Sequence, residues 1–130
     1  MATENRVLTV NFPAAEDLSN DQYRIVVLNS SGTVQRPNAT TDIPIGVLQN
    51  APASGEAAAV CIIGAGGISK VVLGATLATG AIVALEYVSA SDAGKAKAAA
   101  ALAYPVGILT QGGAENDLGS VLLAPITAKA

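Results

Sequence analysis

The stretch "VCIIGAGGISKVVLGATLATGAIVALE", residues 60–86, decides the fold, because it can be read in two ways. As a dinucleotide-binding fingerprint, an apolar strand would end in the cluster Gly64, Gly66 and Gly67, and a helix would follow with the pyrophosphate at its N-terminus. Glu86, 22 positions after Gly64 (86 − 64), would then reach the ribose. As a β segment, the same glycines form a turn between strands, where the backbone needs a positive φ.

The residues beyond the cluster favour the second reading. Ser69 takes the third small-residue position, and the segment that would have to be a helix, 68–79, holds Val71 and Val72 in tandem, Gly74, Thr76 and Thr79. Two adjacent β-branched residues and an internal glycine make a poor helix. Only 44 residues (130 − 86) follow Glu86, mostly strand and turn, too few for the remaining parallel strands and helices. No cofactor is therefore expected at Gly64 to Ser69. The expectation is a flexible turn leading into a strand at 70–73, with Glu86 an ordinary carboxylate on a solvent-facing position.

Composition narrows the class further. The 130 residues include 26 alanines and, as aromatics, only Phe12, Tyr23, Tyr87 and Tyr104, so the core must be built from small and branched side chains. Such a core buries little area per residue, and at roughly 25 cal/mol per Å² association with other copies or partners becomes a natural supplement. The net charge is −3, and Arg6, Arg24, Arg36, Lys70, Lys95, Lys97 and Lys129 are scattered. Without a basic stripe to neutralise phosphates, nucleic acid is not expected as a partner. The longest uncharged run, 98–114, contains Pro105, Gly107, Gly112 and Gly113, so no membrane span is expected. The N-terminus shows no secretion signal, and the single Cys61 excludes an internal disulfide.

Read along the chain, residues 1–22 are expected to form an extended N-terminal arm or edge strand, with Leu8, Val10 and Phe12 at alternate positions before Pro13. Residues 23–130 then form a single β domain. Strands are expected at 23–28, 43–49, 57–63, 70–73, 81–88, 105–110 and 120–126, joined by turns at 29–32, 51–56 and 91–94. The segment "KAKAAAALA", 95–103, is the best helix former but is too short to be stable alone; it allows one or two helical turns, or a strand. An internal echo sets "IPIGVL", 43–48, against "YPVGIL", 104–109, at an offset of 61 (104 − 43). Two related halves, about 23–63 and 81–126, are therefore expected. The fold class is mainly β: a small antiparallel β-barrel or β-sandwich with at most one short Ala-rich helix.

Few residues suggest chemistry. The sequence contains no histidine, which removes His-dependent triads and most transition-metal sites. Cys61, among Val60, Ile62 and Ile63, reads as a buried structural thiol. Glu16, Asp17 and Asp21, and likewise Glu115 and Asp117, lie in polar, loop-like sequence, so solvated charge is expected. No catalytic, cofactor or metal residue is assigned, and the profile is that of a structural or interaction protein.

Several segments resemble the small capsid decoration (cement) proteins of tailed bacteriophages. They are "PIGVLQNAPASGE" (44–56), "GATLATG" (74–80), "DAGK" (92–95) and "VGIL" (106–109), within a resemblance that runs over about 23–126. The resemblance implies a compact β domain on the outer surface of the phage head, a homotrimer that bridges neighbouring copies of the major capsid protein and stabilises the capsid. It also implies no catalysis, and a product made in the host cytoplasm and found in the virion. Val7, Leu8, Val10 and Phe12 are expected to pair with a neighbouring subunit. Another virion part, a head-fibre base or a tail protein, fits the same composition, and a dinucleotide-binding enzyme is the remote alternative.

Overall fold

In a computed structural model, which describes residues 2–100 and 103–126, the chain forms eleven strands and, among those residues, no helix. The strands are β1 (Asn5–Arg6), β2 (Thr9–Pro13), β3 (Ile25–Leu28), β4 (Val34–Gln35), β5 (Pro44–Leu48), β6 (Ala57–Ile62), β7 (Gly67–Val72), β8 (Ile82–Leu85), β9 (Ala96–Ala98), β10 (Gly107–Gln111) and β11 (Leu118–Leu123). They make two sheets in which every strand pair is antiparallel. Sheet A has the order β1-β7-β11-β10-β8-β9, and sheet B the order β2-β6-β5-β3-β4. The sheets do not close on themselves, so the β-sandwich is the form adopted.

The expected strands are present with shifted ends. Residues 95–103 form no helical turn where described. Ala96–Ala98 pairs with β8 as an edge strand, with Ala96 buried and Lys97 exposed. Three ladder pairs outweigh a helix propensity that nine residues cannot exploit; residues 101 and 102 of the segment lie outside the described part. β7 starts at Gly67, so Ile68 and Ser69, expected in the turn, are paired with Leu122 and Val121.

Alternation along the strands sorts the apolar residues into two cores. Ile25, Val27, Val47 and Cys61 from sheet B meet Val71, Val83, Leu109, Val121 and Leu123 from sheet A in the main core between the sheets. The opposite face of sheet B presents Val26, Leu48, Ala58 and Val60, and residues 14–22 cross over it with Ala14 and Leu18 buried among them. A β-bulge between Val26 and Val27 turns Ile45 toward this second cluster. Tyr23, with φ of 64°, ties the layers together: its N–H donates to the Leu48 carbonyl (2.7 Å), and its own carbonyl accepts from Val72 N–H (2.9 Å).

The strand ladders repeat at an offset of 61. In sheet B, Gly46, Val47 and Leu48 oppose Ile62, Cys61 and Val60; in sheet A, Gly107, Ile108 and Leu109 oppose Leu123, Leu122 and Val121. Gly46 and Gly107 do the same job, since a Cβ at either would collide with the partner strand's carbonyl oxygen, that of Cys61 or of Leu122.

Candidate interaction surfaces

The segment with the residues singled out at the N-terminus runs along one edge of the sandwich. β1 borders sheet A beside β7, and β2 borders sheet B beside β6. Val7 and Leu8 cross from one sheet to the other alongside the glycine cluster, which makes the same crossing between β6 and β7. Val7 N–H donates to the Gly66 carbonyl (2.8 Å), and the Leu8 carbonyl accepts from Ile62 N–H (3.4 Å). The glycines are needed for this contact: Gly64 and Gly67 have φ of 91° and 79°, and a Cβ on Gly67 would strike the Asn5 carbonyl oxygen.

This placement determines which backbone groups remain free on β2. Ala14 N–H donates to the Glu56 carbonyl (2.9 Å), in phase with the Leu8–Ile62 bond, so Leu8, Val10, Phe12 and Ala14 face β6. The outward N–H and C=O groups belong to Thr9 and Asn11, which the sequence reading did not single out. Of the four predicted interface residues, Val7 (78%) and Leu8 (43%) carry exposed side chains, Val10 is half-buried, and Phe12 packs on the second core.

A second feature lies at the pole of the sandwich where β5 and β10 begin. Ile43 and Pro44, together with their echoes Tyr104 and Pro105, line an open groove of about 430 Å³ completed by Ile63 and Ile126. Ile43 and Tyr104 are 64% and 47% exposed, so both arms of the sequence echo deliver an apolar side chain to one surface. The echo is visible in sequence; that its two arms converge is not.

The charged residues differ in part from expectation. Asp21 is buried, not solvated: Arg36 Nε lies 2.7 Å and Arg24 Nη1 3.8 Å from its carboxylate, and Arg36 also binds Glu16 (2.7 Å). Burial pushes its pKa up from the ordinary 3.8, against the pull of Arg36 and Arg24. These pairs, with Arg24 also donating to the Ser91 carbonyl (2.9 Å), fasten residues 14–22 to both sheets. Asp17 is exposed, with its pKa lowered by hydrogen bonding to Ser19. Glu86 is likewise buried, 3.3 Å from Lys97 and packed on Gly74, which corrects its expected solvent-facing position. Glu86 keeps the parity of Ile82 and Ala84 along the strand, and what takes it out of water is its contact with Gly74 and Lys97.

Cys61 is buried in the main core, its Sγ donating to the Gly66 carbonyl (3.1 Å), and burial raises its pKa. That is a structural thiol held as the neutral form, not a nucleophile. Glu115 and Asp117 are exposed, with Asp117 accepting from Ala114 N–H (3.1 Å). Among the described residues no three Cys, Asp or Glu side chains converge as metal ligands would.

No family model matches the chain, and no curated protein matches it. The fold is similar to a solved structure, the head fiber gp8.5 N base of bacteriophage phi29, with a TM-score of 0.64 and 14% sequence identity. The similarity spans 95% of this chain and 99% of that one. At this identity the likeness is one of fold.

Proposed function

We propose that this chain is a structural component of a tailed-phage particle, acting as the base domain by which a head fibre is seated on the capsid. The observation that carries the reading is the end-to-end likeness to a head-fibre base, in which nearly the whole of both chains is matched. The physical character of the molecule supports it: a histidine-free sandwich whose buried polar groups serve to fasten its own segments together, with apolar side chains left outside. No catalytic role is proposed.

Attachment would use the open side of β2. A strand from a neighbouring capsid or fibre subunit adding there would bond to Thr9 and Asn11, with Val7 and Leu8 beside them supplying apolar contact. A capsid decoration protein that bridges subunits of the major capsid protein on the outer surface is the second reading, favoured by the motifs at 44–56, 74–80, 92–95 and 106–109. Both readings give repeated weak contacts that sum by avidity.

Imaging of intact particles labelled with an antibody fragment against this chain separates the two. Label at fibre attachment points supports the base, label at every capsomer supports decoration, and particles without label would overturn both. Asn11→Pro removes one outward N–H at a position where an edge strand tolerates proline. Its expected result is a folded protein with reduced occupancy on particles, and full occupancy would refute attachment through β2.

A further inference from the structure

Residues 2–13 and residues 14–22 are held to the sandwich in different ways. Within 14–22 the side chains of Ala14, Leu18 and Asp21 are buried, and Asp21 is paired with Arg36 and Arg24. Within 2–13 no residue is buried: Ala2, Glu4, Val10 and Phe12 are half-buried and the rest are exposed. The change falls at Pro13–Ala14.

What holds residues 2–13 is chiefly backbone: β1 is laddered to β7, Val7 N–H donates to the Gly66 carbonyl, and β2 is laddered to β6. The ion pair of Glu4 with Arg6 (3.5 Å) lies within the segment and moves with it. The exception is Ser120, wholly buried beneath Thr3, whose hydroxyl donates to the Thr3 carbonyl (2.7 Å) and accepts from Thr3 N–H (2.8 Å). One side chain thus grips both polar groups of a residue at the end of the segment far from Pro13. A segment with exposed backbone bonds and little buried apolar surface is of the kind that opens below global unfolding.

The strands beneath it each keep a second neighbour. β6 is laddered on its other side to β5, and β7 to β11, while Val60, Cys61, Ser69 and Val71 are anchored by burial. Lifting residues 2–13 therefore leaves both sheets laddered. It bares the N–H groups of Ala58, Val60 and Ile62 on β6 and of Ile68 on β7, which point toward the segment.

We propose that residues 2–13 form a strap that opens as a unit, hinged at Pro13–Ala14 and latched by Ser120. Opening turns two covered strands, β6 and β7, into edges able to accept an added strand. This goes beyond attachment through the outward side of β2, which belongs to the closed strap. It is a property of the isolated chain, so its test needs no particle and fails or succeeds apart from that reading.

Amide hydrogen exchange of the full chain, followed by nuclear magnetic resonance, tests the proposal, because neighbouring amides of one strand report different events. On β6 the N–H groups of Val60 and Ile62 face the strap, whereas that of Cys61 faces Val47 on β5. In the wild type, Val10, Val60, Ile62 and Ile68 are expected to exchange together, about a hundredfold or more faster than Cys61. Ser120→Ala is expected to speed the strap-facing amides about tenfold, as the loss of two hydrogen bonds would. Val83→Ala, in the main core on β8, is expected to speed Cys61 about tenfold or more while leaving the strap-facing amides unchanged. If Val83→Ala does not fold, the wild type and Ser120→Ala still decide. Val60 and Ile62 exchanging as slowly as Cys61 would mean that the segment opens only with the whole fold, and would overturn the proposal. So would strap-facing rates that Ser120→Ala leaves unchanged, or that Val83→Ala raises as much as it raises Cys61.

Discussion

In sheet B the row of Ile25, Val47 and Cys61 is sealed from water, whereas its counterpart in sheet A, Ile82, Ile108 and Leu122, stands between 37% and 44% exposed. The same strand register has been used twice, once between two layers and once at the end of the stack. Local pattern alone therefore does not determine burial; position in the order of layers does. Residues 14–22, sheet B and sheet A form three successive layers, and the outer row of sheet A is the one left partly in water.

The strongest test of that ordering is at the covered end. Leu18 is wholly buried between residues 14–22 and sheet B, and Leu18→Ala is expected to cost about 2–5 kcal/mol, the range for a cavity in a core that relaxes little. Denaturant unfolding of the purified protein measures it. A loss below about 1 kcal/mol would mean that this layer is not part of the cooperative unit. Val47→Thr, which places an unpartnered hydroxyl in the main core, is expected to cost about 1–3 kcal/mol in the same measurement.

Equivalence between the sheets is tested at the two glycines. Gly46→Ala and Gly107→Ala each drive a methyl group against the carbonyl oxygen of the neighbouring strand, so each is expected to destabilise by about 1–3 kcal/mol through backbone displacement. The comparison breaks if one is tolerated and the other is not, since both positions occupy one place in the repeated ladder.

These glycines also show how far the sequence could be read. The echo of 43–48 in 104–109 includes both glycines at matching places, so the repeat was open to inspection, as were most strands and the buried state of Cys61. The paired state of Asp21 and Glu86 was not legible, because each is buried by partners distant in sequence: Arg36 lies 15 positions from Asp21 (36 − 21), and Gly74 packs on Glu86 from before β8. The N-terminal residues were singled out by their apolar alternation, yet the free backbone groups fall on Thr9 and Asn11. Which parity of a strand faces its neighbour depends on the pairing partner, and β6 lies more than forty residues away.

A smaller effect distinguishes a buried carboxylate from an exposed one by pH. Burial holds the folded-state pKa of Asp21 above its ordinary 3.8, so the folded protein keeps this proton longer than the unfolded chain does. Its contribution to stability is full below the ordinary value and declines as pH rises through the folded one. Asp92, on an exposed loop, behaves in the opposite sense: N–H groups of Ser89 and Val88 lower its pKa, and that stabilisation is lost as pH falls through the lowered value. As pH rises above the ordinary 3.8, the melting temperature of the wild type, relative to Asp21→Asn, is therefore expected to fall. A constant difference would show that the Asp21 carboxylate gains as much from its arginines as it loses to burial.

The smallest effect is expected where the exposed row replaces the buried one. Ile108→Thr makes the same kind of change as Val47→Thr at the equivalent position, but its side chain already meets water, so the dilute protein should change by no more than about 0.5 kcal/mol. Denaturant unfolding of the two variants side by side reads the contrast directly. A loss at Ile108→Thr as large as that at Val47→Thr would mean that the outer row is as much a part of the cooperative core as the inner one, and that a shared register carries a shared burial after all.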